Sequence, residues 1–205
     1  MTNPQVLQDI LYFWFGEIGD PGECPSDERT NLWFGFSPQN DEKITNKFLS
    51  ILDDADKGKL DVWKDSSHGT IALIILLDQF SRQIYRRTEK AFAYDSNALK
   101  IAQYAVDNGI DKNMHFCEKI FCYLPFEHSE EESMQRKSVA LYSHLLERSS
   151  EAQYTFASNC LKMAREHLVI IERFGRFPHR NEIIGRASTE EEIKYLATIE
   201  NRFGQ

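Results

Sequence analysis

Thr70-Ile71-Ala72-Leu73-Ile74-Ile75-Leu76-Leu77-Asp78-Gln79-Phe80-Ser81-Arg82-Gln83-Ile84-Tyr85 is the stretch on which the fold reading turns. Ile71 to Leu77 is the longest unbroken apolar run in the chain, and it is far short of the ~20 residues that a membrane-spanning helix needs. A segment apolar all round at its start predicts a central, enclosed helix. Asp78 falls on the same helical face as Ile71, Ile74 and Ile75, where a carboxylate is costly unless paired. Arg82 follows at the offset that suits an ion pair on one face. The pair reads either as a buried structural contact or as the wall of a polar pocket that includes Gln79.

Further helices flank this one. Asn3-Pro4 opens a helix with an apolar stripe through Val6, Leu7, Ile10, Leu11, Phe13 and Trp14, stopped at Gly16. Residues 16–27 read as a loop, and Trp33 and Phe34 as loop residues folding back on the core. Ser37-Pro38 begins a helix through Ile44, Phe48, Ile51 and Leu52. Others start at Asp95 or Ser96 and near Asn113, the latter interrupted at Pro125. A capping box at Ser129-x-x-Glu132 begins another. Ser150 starts a long helix closed by Gly175 and Pro178. A short helix over about Pro178–Ile184 follows, then overlapping capping boxes at Ser188 and Thr189. No period-two alternation and no hairpin signal occurs. The expectation is an all-α array of about eight or nine helices, with no linker to divide residues 1–205 into more than one domain.

The formal net charge is −8, with 24 basic against 32 acidic residues, a balance that does not favour nucleic-acid binding. Fourteen Phe, eight Tyr and three Trp are too many aromatics for a disordered chain. Cys24, Cys117, Cys122 and Cys160 include no C-x-x-C pair and read as reduced thiols of a cytoplasmic protein. The first residues lack the basic region of a signal peptide. Neither a membrane span nor a cofactor is expected.

Two further stretches carry chemistry. In Leu124-Pro125-Phe126-Glu127-His128-Ser129-Glu130, His128 is placed just before a helix start, between a field that disfavours the imidazolium and acids that favour it. It suits a general base or a hydrogen-bonding post, with Glu127 beside it. Two adjacent donors are no metal signature, so no metal site is expected. In Arg173-Phe174-Gly175-Arg176-Phe177-Pro178-His179-Arg180-Asn181, Arg173 suits a helix C-terminus. Arg176, His179, Arg180 and Asn181 gather at the next helix start, where an anion or the protein's own acids could bind. His167 lies on an apolar stripe and reads as a core histidine. Nucleophile-elbow and Gly-rich phosphate motifs are absent.

Together these stretches resemble the DUF924 family, mostly bacterial proteins known as a domain of unknown function. The similarity runs from Tyr12-Phe13-Trp14-Phe15-Gly16 to Glu190-Glu191. Its most specific parts are Leu77-Asp78-Gln79-Phe80, Pro125 to Glu130 and Arg173 to Asn181; Trp33-Phe34, Ala91-Phe92-Ala93 and Asp95 also fit. Ser81 and Gln83 depart from the pattern, standing where Pro and Asn are expected. The resemblance implies an all-helical, tetratricopeptide-like fold of antiparallel helix pairs. It implies no reaction and no catalytic residue.

Three functions follow as expectations. The first is a helical array binding a peptide or protein partner on a concave face. The second is a small-molecule protein or enzyme, with an anionic ligand held by Arg82, Arg176, Arg180 and His128. Asp78, Glu127 or His128 would then do the acid–base work. The third makes all three stretches structural fasteners, buried and mutually satisfied.

Overall fold

In this computed structural model residues 4–17 and 25–198 are described. They form nine helices and no strand: α1 (Pro4–Phe15), α2 (Asp27–Phe34), α3 (Pro38–Asp56), α4 (67–84), α5 (Asp95–Asp107), α6 (Phe116–Glu127), α7 (Glu132–Glu147), α8 (Glu151–Phe174) and α9 (Glu190–Leu196). Four 3₁₀ turns lie between them, at Asp61–Asp65, Glu89–Phe92, Ile110–Asn113 and Pro178–Arg180. Asn3, read as the first helix cap, and Cys24 lie outside the described residues.

Helix α4 is central, as its sequence demands. Every residue from Gly69 to Ser81 is buried, and the helix packs on α1, α3, α5 and α6. Any side chain on Gly69 would collide with the Trp63 carbonyl, so glycine lets the turn at 61–65 press against the first turn of α4. The middle of α4, Ile75–Phe80, is a π segment, where the Ser81 N–H reaches back to the carbonyl of Leu76. Such a bulge re-aims the side chains around it and frequently marks a functional site.

Trp33 and Phe34 stand on a short helix of their own, α2, capped by Ser26, rather than in a loop. Asp27 and Glu28 in its first turn suit the helix dipole. Trp33 then reaches the core, where its indole N–H donates to the Trp14 carbonyl at 2.9 Å.

Pro125 does not interrupt α6, which runs on to Glu127. The proline leaves a carbonyl of the preceding turn without its usual donor, but the end of the helix is clamped from α7. Gln135 Nε2 donates to the Glu127 carbonyl at 2.5 Å and to the Ser129 carbonyl at 2.6 Å. The expected box at Ser129 is not formed: α7 starts at Glu132 with Glu131 as its cap. Ser129 spends its hydroxyl on the Glu131 N–H instead.

Helices α7 and α8, joined by residues 148–150, make the most extensive helix contact, and so short a connection makes them antiparallel neighbours. Ser150 and Gln153 form a reciprocal capping box for α8, which ends at Gly175 with φ +67°. Beyond it the expected short helix shrinks to the turn Pro178–Arg180. A small apolar cluster of Ile170, Ile171 and Phe177, backed by Phe174 and Tyr195, holds this C-terminal segment on α8. Of the two overlapping boxes, the one at Thr189 and Glu192 caps α9. Among the described residues no helix is long and apolar enough to cross a membrane.

Candidate functional site

The π segment places Asp78 with no exposure at all, against the C-terminal end of α6. Its Oδ1 lies 2.7 Å from His128 Nδ1. Gln79 donates to Oδ2 at 2.6 Å. Arg82 makes the contact expected from spacing, but at 3.4 Å; its shorter bond, 2.8 Å, goes to Asp95 at the start of α5. Burial opposes the charge on Asp78, yet His128 and Arg82 together hold its pKa well below the ordinary carboxylate range. Asp78 is therefore an anion that accepts a hydrogen bond from the Nδ1–H of His128.

His128 itself sits at the end of α6, not ahead of the next helix as its sequence context suggests. The C-terminal dipole would favour its cation. Burial and the nearby Arg82 outweigh this and the attraction of Asp78, so its pKa is lowered. With Nδ1–H committed to Asp78, the neutral ring presents Nε2 as a lone-pair acceptor. Among the described residues Nε2 has no hydrogen-bond partner and is not a sealed atom.

The neighbouring Glu127 turns to a different partner, His167 of α8, at 3.3 Å. Burial, reinforced by the charge of Asp78, raises the Glu127 pKa to about 8. Burial likewise lowers that of His167 to about 3. Two neutral groups result at neutral pH, the outcome a low-dielectric interior favours over an ion pair. His167 Nδ1 also lies 2.9 Å from the Met163 carbonyl, which fixes Nδ1 as a donor.

These groups surround a cavity of about 440 Å³ between the end of α2 and helices α4, α6, α7 and α8. On α4 and just after it, Gln79, Arg82, Gln83 and Arg86 line it, spaced as one helical face requires. Glu127, His128 and His167 continue the polar side, and Trp33, Phe34, Leu124, Phe156 and Met163 make the apolar one. The volume and the mixture both suit a small-molecule site. Cys160 is also in the wall, but burial and the nearby Glu127 push its thiol pKa up, so it is no ready nucleophile.

The three polar stretches converge only in part. Gln79, Arg82, Glu127 and His128 meet in the cavity wall, with Asp78 buried behind them. Arg180 supports them from behind: it donates to Asp95 at 3.2 Å and to the His128 carbonyl at 2.9 Å, with its guanidinium 4.7 Å from the rings of both Phe92 and Phe177. The rest fasten the C-terminal segment. Arg176 binds Glu192 through two bonds of 2.6 and 2.8 Å, Asn181 contacts Ser188 and Glu192, and the exposed Arg173 pairs with Glu191. His179 is buried against Phe177, its pKa lowered by burial to about 3. Of the two expectations for this stretch, an anion site or the protein's own acids, Arg176 and Arg173 meet the second, and the helix start there is a three-residue turn.

Sequence reasoning gave His167 no role beyond the core, and did not single out Tyr142, Asn159 or the clamp between Arg186 and Glu130, with bonds of 2.7 and 2.8 Å. One signal was available. Phe156, Asn159, Cys160, Met163 and His167 recur at helical spacing along α8, an apolar face broken by an amide and an imidazole. Among the described residues no three His, Cys, Asp or Glu side chains gather as metal donors would.

Fold and site together define an all-helical protein with an internal cavity that is polar on one side and apolar on the other. The chain belongs to the family described as "Bacterial protein of unknown function (DUF924)", whose model matches residues 10–200. A solved structure titled as a protein of unknown function, ATU0120 from Agrobacterium tumefaciens, is 32% identical to it, with a TM-score of 0.80. The match covers 95% of this chain and 98% of that one. No curated protein matches the sequence.

Proposed function

We propose that this protein binds a small organic molecule in the cavity and performs general acid–base chemistry on it. The observation that carries the reading is the 2.7 Å bond from His128, in the wall of that cavity, to Asp78 buried behind it. A buried carboxylate orients the ring, fixes its tautomer and stabilises the imidazolium that forms when Nε2 takes a proton. Glu127, adjacent in sequence but in a different environment, retains its proton at neutral pH and serves as the donor. Two titratable groups whose surroundings drive their protonation states apart make an acid–base pair.

The partner-binding array has weaker support. Among the described residues the exposed large apolar ones are Tyr12, Phe34, Phe36, Val62, Tyr104, Tyr154, Val169 and Ile193. No helix carries more than two of them, whereas a peptide groove calls for a row along one surface.

The test is a thermal-unfolding screen of a metabolite library with the wild type and His128→Gln, each hit then being incubated with both proteins and followed by mass spectrometry. A ligand at a hundred times its dissociation constant raises stability by about 2.7 kcal/mol, a shift of roughly 5–10 °C for a chain of this size. Turnover by the wild type, with His128→Gln binding the same compound but converting it at least about a hundredfold more slowly, supports the base role. The pH–rate profile should be bell-shaped, its alkaline limb falling near pH 8 as Glu127 ionises. Equal turnover by both proteins sinks the mechanism, and a library without a single hit sinks the site.

A further inference from the structure

We infer that the cavity selects an uncharged ligand, an apolar ring or chain bearing a neutral hydrogen-bonding group such as a carboxamide, rather than an anion or a cation. This rests on the small-molecule reading above and names its substrate class. Two guanidinium groups, Arg82 and Arg86, line the cavity, and both already face carboxylates. Arg82 donates to Asp95 at 2.8 Å and lies 3.4 Å from Asp78. Arg86 holds Asp41 through two bonds, Nε at 2.8 Å and Nη2 at 2.9 Å.

Arg180, behind them, shares Asp95 at 3.2 Å. Three arginines thus meet Asp41, Asp78 and Asp95, and the charges cancel. The remaining titratable groups on the wall, Glu127, His128, Tyr142, Cys160 and His167, bring no net charge at neutral pH, since burial raises the pKa of the acid, the phenol and the thiol and lowers that of both histidines.

A ligand carboxylate entering this space sheds water and meets only guanidinium groups whose charge a carboxylate already balances, Arg82 keeping a buried Nε–H without a partner; a ligand ammonium meets no uncommitted carboxylate. Either ion bears a desolvation penalty that only a new partner could offset. A neutral amide bears far less of it. His128 Nε2 and the side-chain amides of Gln79 and Asn159, all in the lining, offer the acceptors and donors that suit it. The wall formed by Trp33, Phe34 and Phe156 takes the apolar body.

The experiment is calorimetric titration of the full chain at pH 7 with two sets of probes matched in shape and differing in charge. One set is indole-3-acetamide, indole-3-acetate and tryptamine; the other is benzamide, benzoate and benzylamine. The amide should bind at least about tenfold tighter than either ion of its set. Asp41→Asn, which strips Arg86 of its carboxylate, should narrow or invert the preference by improving the acid alone. If either ion binds the wild type as tightly as the amide or better, the inference is overturned while the cavity keeps its ligand-binding role. If none of the six compounds binds, the small-molecule reading falls and the inference with it.

Discussion

Replacing Asp78 by Asn keeps the side chain's shape and removes the charge that His128 and Arg82 both face. Breaking a buried ionic contact by neutralising one partner typically costs about 3–5 kcal/mol. Here Asp95 still serves Arg82, so a loss near about 3 kcal/mol is expected in urea unfolding at pH 7. His128 loses the largest influence that favours its protonated form, so its imidazole should titrate lower still, visible by proton NMR. An unchanged titration would mean that the 2.7 Å contact does not govern this ring. The cost of a carboxylate on an apolar helical face made Asp78 visible in the sequence, and the offset made Arg82 its natural partner. The stronger contacts of both residues go instead to His128 and Asp95, which are distant in sequence and brought close only by packing.

At the scale of elements, the C-terminal segment is a unit fastened by few bonds. Arg186 reaches across to both oxygens of Glu130, which also accepts from the Phe177 N–H, and Thr189 and Glu192 cap α9. Arg186→Ala should therefore loosen residues 177–196 locally. Hydrogen exchange there is expected to speed by about tenfold or more, with α4 and α6 unaffected. Uniform acceleration across all helices would show the segment to be part of the global folding unit. The caps and stops of α3, α8 and α9 were legible because each is a local hydrogen-bonding rule. The continuation of α6 through Pro125 was not, because the clamp that steadies its end comes from Gln135 on another helix. The π segment of α4 was equally hidden, since no local sequence rule distinguishes it from ordinary helix.

For the whole molecule, buried titratable groups set the pH of greatest stability. His167 and His179 have pKa values depressed from 6.5 to about 3, and Glu127 has one raised from 4.5 to about 8. Between pH 4.5 and 6.5 the unfolded chain gains protons on both histidines while the folded one alone retains that on Glu127. The unfolded state binds more protons on balance, and His128, whose pKa is also lowered, adds to the difference, so stability rises with pH by at least roughly 1.4 kcal/mol per unit. Between pH 6.5 and 8 only Glu127 differs: the folded state binds the extra proton and stability falls with a similar slope. A maximum near pH 6.5 is expected in urea titrations from pH 4.5 to 9. Glu127→Gln should flatten the alkaline decline, and a decline of wild-type slope in that variant would remove Glu127 as its cause.

The sequence by itself determined the all-helical class, the central place of α4, most helix ends and the residues from which the polar cluster is drawn. Each follows from local rules or from the cost of burying particular side chains, and neither needs knowledge of what is packed alongside. Tertiary structure alone decided which of those residues face one another. It divided the arginine-rich stretch, leaving Arg180 to buttress His128 and sending Arg173 and Arg176 to the acids of the α9 segment. It also set His167 against Glu127 and closed the wall around the cavity. Those outcomes depend on distances between helices far apart in the chain, and spacing within one helix carries no information about them.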